Sequence, residues 1–486
     1  MRPQSASLAA LLLLVATPFA GAVELESCTL YGASGTTRVE AECATLDRPL
    51  DPTGQDDTTI ELRIAVVRSL APDPARDALT LVNGGPGGSS IELYADLAPL
   101  LTGVLRERDI VIVDQRGTGS STPLRCAELD AAQTTEDDPA FVRQAAERCL
   151  EQLPADPRYF TTSVAVADLD AVRDALGYDQ WTLYGVSYGT RVVQHYARQH
   201  PQQTRALIID GVVPMPDALG PNVAINAQHT LEAIFGRCRA DQDCAAAFPE
   251  LEADFARLGT ELKRQARTIQ LAHPVTGKAE TLELTYGHLA VALRLGSYAP
   301  ESASLIPLQI HQAANVGNFT PVAAQALRVI DQLTSTMAYG MHNAVVCTED
   351  VPYFDFDPVA MREQLAATYL GPEQVDALQA ICAVWPAGVI DPGFKAPLES
   401  AVPTLLLSGE FDPITPPANA EAVLPGLSNA RHLVAPGQGH GVIARGCVPR
   451  LLREFIEAAD PAALDAECLE RLTPDPFFVD LMGPPR

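Results

Sequence analysis

The chain has 486 residues, 47% of them hydrophobic and 20% charged, and a formal net charge of −27 at pH 7. So acidic a balance argues against binding to nucleic acid or to an anionic membrane surface, both of which need an excess of Lys and Arg. The length suits one large domain or two.

Residues 1–22 read as a signal peptide: Arg2 comes first, then an apolar run from Leu8 to Val15, then the small residues Ala20-Gly21-Ala22, with cleavage expected before Val23. The run is too short to cross a bilayer, and no later stretch is long and apolar enough to do so. Glu24 and Glu26 interrupt the apolar approach to Cys28, which disfavours a lipid anchor there. An exported protein, periplasmic or extracellular, is expected. Ten cysteines form an even set in such a chain and suggest disulfides. Sequence does not settle their connectivity. The simplest proposal is sequential: 28 with 43, 126 with 149, 238 with 244, 347 with 382, and 447 with 468.

The first strong strand signal, Leu79-Thr80-Leu81-Val82, runs into the glycine-rich loop Asn83-Gly84-Gly85-Pro86-Gly87-Gly88-Ser89-Ser90. No Lys-Ser or Lys-Thr follows, and the spacing is not G-x-G-x-x-G, so a phosphate loop is excluded. A second strand, Asp109 to Val113, leads into Asp114-Gln115-Arg116-Gly117. Asp114 and Arg116 are expected to be structural, pairing with each other or with loop backbone. Residues 133–139 and the proline-bearing tail after Leu472 read as polar linkers.

Trp181-Thr182-Leu183-Tyr184 has the character of a short buried strand, and Val192, Val193 and Tyr196 recur at helical spacing until Pro201. Between them lies Gly185-Val186-Ser187-Tyr188-Gly189, a G-x-S-x-G pattern that holds a serine on a strained strand-to-helix turn. Ser187 is thus a candidate nucleophile. The backbone N–H groups of Gly85 and Tyr188 are the candidate oxyanion donors.

A serine nucleophile needs a base and a carboxylate to orient it. Val402 to Leu407 reads as a buried strand that runs into Ser408-Gly409-Glu410-Phe411-Asp412-Pro413, and Arg431 to Val434 as another, followed by Pro436-Gly437-Gln438-Gly439-His440-Gly441. Parallel strands open these loops on one sheet edge. Ser187, Asp412 and His440 then follow in the order Ser, acid, His. Asp210, closing the strand Ala206 to Ile209, is a rival for the orienting acid; Glu410 reads as a solvated rim carboxylate and His432 as an ordinary strand histidine. The fold class expected is α/β, an α/β-hydrolase fold with a mostly parallel central sheet. Residues 23–213 and 396–486 would form its two core parts, with 214–395 as a large, mainly helical cap between the nucleophile and the acid and histidine loops.

The Asn-Gly-Gly-Pro-Gly-Gly loop, Val113-Asp114-Gln115-Arg116-Gly117-Thr118-Gly119-Ser120-Ser121, Tyr184-Gly185-Val186-Ser187-Tyr188-Gly189-Thr190 and the Asp412 and His440 loops together resemble secreted bacterial tripeptidyl aminopeptidases and their prolyl aminopeptidase relatives. The likeness is strongest over residues 60–215 and 400–448. Prolyl aminopeptidases usually carry a histidine where Asn83 stands, so the tripeptidyl branch is the better match. The resemblance implies a serine peptidase that cuts di- or tripeptides from a free N-terminus through an acyl-enzyme. A substrate ammonium needs acidic partners, and relatives of this kind often place an acid two residues past a cysteine. Glu349 and Asp350, after Cys347, are therefore the candidate substrate-binding residues. Fold and triad do not choose the acyl group, so a carboxylesterase or lipase is the alternative, and a non-catalytic binding protein on a hydrolase scaffold a remote one. With no C-x-x-C or H-E-x-x-H pattern, neither metal nor cofactor is expected. The expected partner is a peptide with a free N-terminus; the sequence leaves the oligomeric state open.

Overall fold

The computed structural model describes residues 23–55, 57–130, 138–354 and 357–485. The expected signal peptide and residues 133–137 of the first linker lie outside them. Nine strands form one sheet in the order β1-β2-β3-β5-β4-β6-β7-β10-β11. They are β1 (Glu26–Tyr31), β2 (Arg38–Pro49), β3 (Thr59–Val67), β4 (Asp77–Val82), β5 (Ile110–Val113), β6 (Gln180–Val186), β7 (Thr204–Asp210), β10 (Thr404–Gly409) and β11 (Ala430–Ala435). The six strands from β5 to β11 run parallel. At the other edge β1, β2 and β3 are antiparallel.

The short parallel strands are buried on both faces, which is why they read as near-continuous apolar runs rather than as an alternation. Successive side chains feed opposite layers. On one face Leu183, Leu207, Ile209 and Leu406 pack with the helices Thr162–Leu176 and Tyr188–Gln199. On the other, Leu79, Leu81, Ile208, Leu405 and Leu407 pack with the helices Ser90–Leu101 and Val448–Ala458.

Between β7 and β10 the chain leaves the sheet and forms a largely helical array with one antiparallel hairpin, β8 (Arg267–Ala272) and β9 (Ala279–Leu284). Residues between 227 and 327 build a separate apolar core. Part of the expected cap does not stay with it: Ala338, Met341, Ala344 and Val345 pack into the main sheet core. The helix Tyr339–Glu349 therefore returns the chain from the insertion to the sheet core. The tail also departs from a plain linker, because Phe477 is buried in the cap core and the Phe478 amide donates to Ser304 O at 3.2 Å.

All five disulfides are the sequential pairs. Cys347–Cys382 and Cys126–Cys149 share a small cluster with Trp385, tying the return helix to the core. Among the described residues no helix is long and apolar enough to cross a membrane, and no three His, Cys, Asp or Glu side chains are grouped to hold a metal.

Candidate active site

Ser187 follows β6 directly and starts the helix Tyr188–Gln199, with φ 56° and ψ −126°. A non-glycine residue in that region is strained and survives only where its surroundings hold it. They do so here. The Ser187 amide donates to Asp210 O at 2.9 Å, and Thr190 donates to Ser187 O through both its amide and its hydroxyl. The flanking glycines are sterically required, since a Cβ on Gly185 would lie 2.4 Å from Gly189 O and one on Gly189 2.2 Å from Val82 O.

The glycine-rich loop after β4 is pressed against this turn, and a Cβ on Gly84 would stand 2.7 Å from Ser187 Cβ. Asn83 shapes the loop: its Nδ2 donates to Ser89 O and its Oδ1 accepts from the Gly84 amide. Across it, the Ala338 amide donates to Gly87 O and Met337 pairs with Gly88, so cap and loop meet. The Tyr188 amide is among the first N–H groups of its helix, which have no intrahelical acceptor. Gly85, at φ 116°, lies against Met337, whose Cε a Cβ there would meet at 2.5 Å, and the positive helix end at Tyr188 favours developing anionic charge beside Ser187.

Asp412 and His440 arrive from the loops after β10 and β11. His440 Nδ1 lies 2.8 Å from Asp412 Oδ2. Asp412 Oδ1 accepts the amides of Ile414 and Thr415, and Oδ2 also accepts the Thr415 hydroxyl at 2.8 Å. Nδ1–H donation to Asp412 leaves Nε2 as the basic nitrogen. The ring packs against Gly211, whose Cβ would lie 3.0 Å from Cε1. Gly211 follows the residue whose carbonyl holds the Ser187 amide, which is how β7 brings serine and histidine together. The hydrogen bonds of the imidazole are to Asp412 and Thr415 and none runs to the Ser187 hydroxyl; such bonds often tighten only with substrate in place. Burial acts to lower the His440 pKa, but the charge and hydrogen bond of Asp412, with the charge of Asp210, raise it above the ordinary 6.5.

Thr415 is missing from the sequence reading. Its only sequence signal is a hydroxyl three residues after an Asp in a turn, a common arrangement. Asp210, the rival acid, has other work: its carboxylate accepts the Val442 and Ile443 amides and the Tyr184 hydroxyl. It thereby anchors the segment that carries His440, and burial pushes its pKa up to about 6. Glu410 sits on the exposed rim and accepts the Gly437 amide. Asp114 holds the Ser89 hydroxyl and the Ile91 and Ser120 amides. Arg116 does not pair with Asp114: it makes a two-pronged bond to Asp168 on the neighbouring helix.

Glu349 and Asp350 are placed differently from the expectation that they receive a substrate ammonium. Both are wholly buried. Asp350 takes two bonds from Arg191, at 2.8 and 3.1 Å, and one from the Leu219 amide. Glu349 accepts the amide and hydroxyl of Thr162, whose hydroxyl also meets the Tyr188 hydroxyl at 2.6 Å. Burial pushes Glu349 up to about 7. The pair belongs to a sealed polar network behind the serine turn, whose partners Arg191 and Thr162 lie far from these two acids along the chain.

A serine on a strand-to-helix turn, facing a glycine-rich loop and backed by acid and histidine loops from later strands, is the architecture of an α/β hydrolase. Residues 77–444 match the family described as the alpha/beta hydrolase fold, and the chain belongs to that family. Its relatives include serine protease Hip1 of Mycobacterium tuberculosis, 26% identical over 88% of this chain and 87% of that protein. Carboxylesterase B of the same organism is 28% identical over 84% and 81% of the two chains. Tripeptidyl aminopeptidase of Streptomyces coelicolor is 23% identical over 90% and 84%.

Proposed function

We propose that the protein is an exported serine aminopeptidase that releases di- or tripeptides from free N-termini. Ser187 attacks the scissile carbonyl, His440 takes its proton and returns it to the leaving amine, and Asp412 holds the imidazole in the productive tautomer. The Gly85 and Tyr188 amides hold the oxyanion; loss of one such donor typically costs about 3 kcal/mol of transition-state stabilisation. The observation that carries this reading is the Asp412–His440 pair at 2.8 Å, set by Gly211 against the turn bearing a strained Ser187. Two relatives, a serine protease and a tripeptidyl aminopeptidase, support a peptide as substrate. Five disulfides support an oxidising compartment. The segment 214–395, whose cap part covers the catalytic edge, is where specificity would reside.

A second reading, a carboxylesterase, is favoured by the similarity to carboxylesterase B. A panel of arylamides carrying one, two or three residues, free or N-acetylated, separates the two. Turnover of free di- or tripeptidyl arylamides and its loss on acetylation are the expected results. Turnover of p-nitrophenyl esters alone would establish the esterase. The pH profile offers a further check, since His440 must be neutral to act as base. Its pKa is raised, so kcat/KM should fall on the acid side with a midpoint above pH 6.5. Removing the Asp210 charge destabilises the imidazolium, and Asp210→Asn should move that midpoint to lower pH; an unmoved profile would refute the coupling.

A further inference from the structure

The helix Tyr286–Gly296 of the cap ends beside the catalytic histidine loop, and Arg294 lies in its last turn. Two residues beyond that helix, Tyr298 O accepts the His440 amide at 2.8 Å, and the Tyr298 ring meets the imidazole edge-on with centroids 5.1 Å apart. Gly439 is pressed so close that a Cβ there would stand 2.3 Å from Tyr298 O. The turn that carries Arg294 is therefore fastened to the base of the candidate triad.

The guanidinium has no acidic partner among the described residues and does not cap its own helix. The last carbonyls of the helix are already satisfied: Ser297 donates its amide to Leu293 O and its hydroxyl to Arg294 O at 2.6 Å. Among the described residues Arg294 has no carboxylate within ion-pairing distance; its side chain hydrogen-bonds the Tyr298 hydroxyl and lies 3.5 Å from Gln374 Oε1. This chain has 61 acidic and 34 basic side chains. Arg294 is half-buried, and a partly desolvated charge calls for a partner.

The groups its charge acts on are instructive. They are the hydroxyls of Tyr298, Tyr339 and Tyr369 and the imidazole of His342, four side chains from three segments of the insertion, Tyr339 and His342 sharing one helix. His342 Nδ1 lies 3.2 Å from Pro86 O in the oxyanion loop, and Tyr339 follows Ala338, whose amide bonds Gly87 O. The charge of Arg294 is thus felt both at Tyr298, which touches His440, and at the helix that touches the glycine-rich loop. Its surroundings are phenols, able to donate hydrogen bonds to an anion, and an imidazole whose Nδ1–H is given to Pro86 O.

We infer that Arg294 is a specificity residue that binds a carboxylate of the substrate close to the scissile bond. The inference rests on the hydrolase reading of the site and adds a substrate class: molecules with an anionic group near the bond that is cut. In a peptide the carboxylate has two sources, the C-terminus of a short leaving fragment or an acidic side chain beside the cleaved bond.

Matched substrate pairs test this with wild type, Arg294→Gln and Arg294→Lys. One pair is a tetrapeptide with a free C-terminal carboxylate and its C-terminal amide. Another exchanges Asp or Glu for Asn or Gln beside the cleaved bond. A third sets a p-nitrophenyl monoester of a dicarboxylic acid against a neutral ester of the same length. Wild type should favour the carboxylate member of at least one pair. Arg294→Gln should raise its KM roughly ten- to a hundredfold, the effect of one charge-assisted hydrogen bond, and leave the neutral member within about twofold. Arg294→Lys should keep part of the preference. A preference confined to the first pair identifies the terminal carboxylate, and one confined to the second the side chain. Absence of any preference in wild type, or an equal loss on both members of every pair, overturns the proposal. If esters alone are turned over, the peptidase reading fails while the ester pair still decides the role of Arg294.

Discussion

Asp412→Asn is expected to lower kcat about 10⁴-fold while the protein stays folded. The hydrogen bonds around this carboxylate dictate how an amide would sit. Its Oδ1 takes the Ile414 and Thr415 amides, so the carbonyl oxygen of an Asn would occupy that side and preserve the loop. The Asn NH₂ would then face His440 Nδ1, where Oδ2 now stands 2.8 Å away. A donor there forces Nδ1 to be the acceptor and puts the ring proton on Nε2, which can no longer take the proton of Ser187. Steady-state kinetics with a thermal melt is the check. Ser187→Ala should abolish labelling by a fluorophosphonate probe, whereas Asp412→Asn should still label, slowly. Near-normal turnover in Asp412→Asn, or labelling that survives Ser187→Ala, would remove these residues from the mechanism.

Asp350→Ala should be the most damaging single change to stability, costing about 3–5 kcal/mol. Arg191 and Asp350 are completely buried and bonded through both oxygens, so removing the acid leaves the guanidinium only the Glu349 carboxylate at 3.7 Å and the Asp217 carbonyl. It also releases the Leu219 amide and removes the carboxylate 3.5 Å from Lys395, leaving that ammonium its bond to Asp217 O. Lys395 is already held down to about 8 by burial and by Arg191. Arg191→Met with Asp350→Leu should recover part of the loss, since no buried guanidinium remains, and denaturant unfolding of Arg191→Met, Asp350→Leu and the double variant measures the coupling. A stability loss below about 1 kcal/mol combined with a raised KM for free N-termini would return Asp350 to the substrate-binding role that its sequence position suggested.

The elements that the sequence made legible share a physical property. Strands such as Ile110–Val113 and Thr404–Gly409 are buried on both faces and show as unbroken apolar runs. Gly185 and Gly189 flank a turn where a Cβ would collide with backbone, so their identity betrays the geometry. Disulfides in sequential order are short-range as well, the longest spanning 35 residues.

What stayed hidden depends on contacts between distant segments. Ala338 to Val345 read as more cap but pack under the sheet, because an apolar face on a helix does not say which of two cores it will enter. Phe477 lies in a tail of polar and proline residues, yet the cap offers it a buried site. Arg116 found Asp168, 52 residues on, rather than its near neighbour Asp114. Asp210 and Asp412 are both acids after buried strands; the loop that each reaches separates the anchor of Val442 from the partner of His440.

The sequence by itself determined the α/β class, the serine turn and the order of the residues around it, because local sterics and burial of the backbone demand particular residue types at short spacing. Tertiary structure alone decided which charges are paired. Arg191 was matched and sealed with Asp350 across 159 residues, while Arg294 was left beside the catalytic edge without an acid among the described residues. The reason is that a Coulomb partner is chosen by distance in space, to which the spacing of two residues along the chain gives no guide.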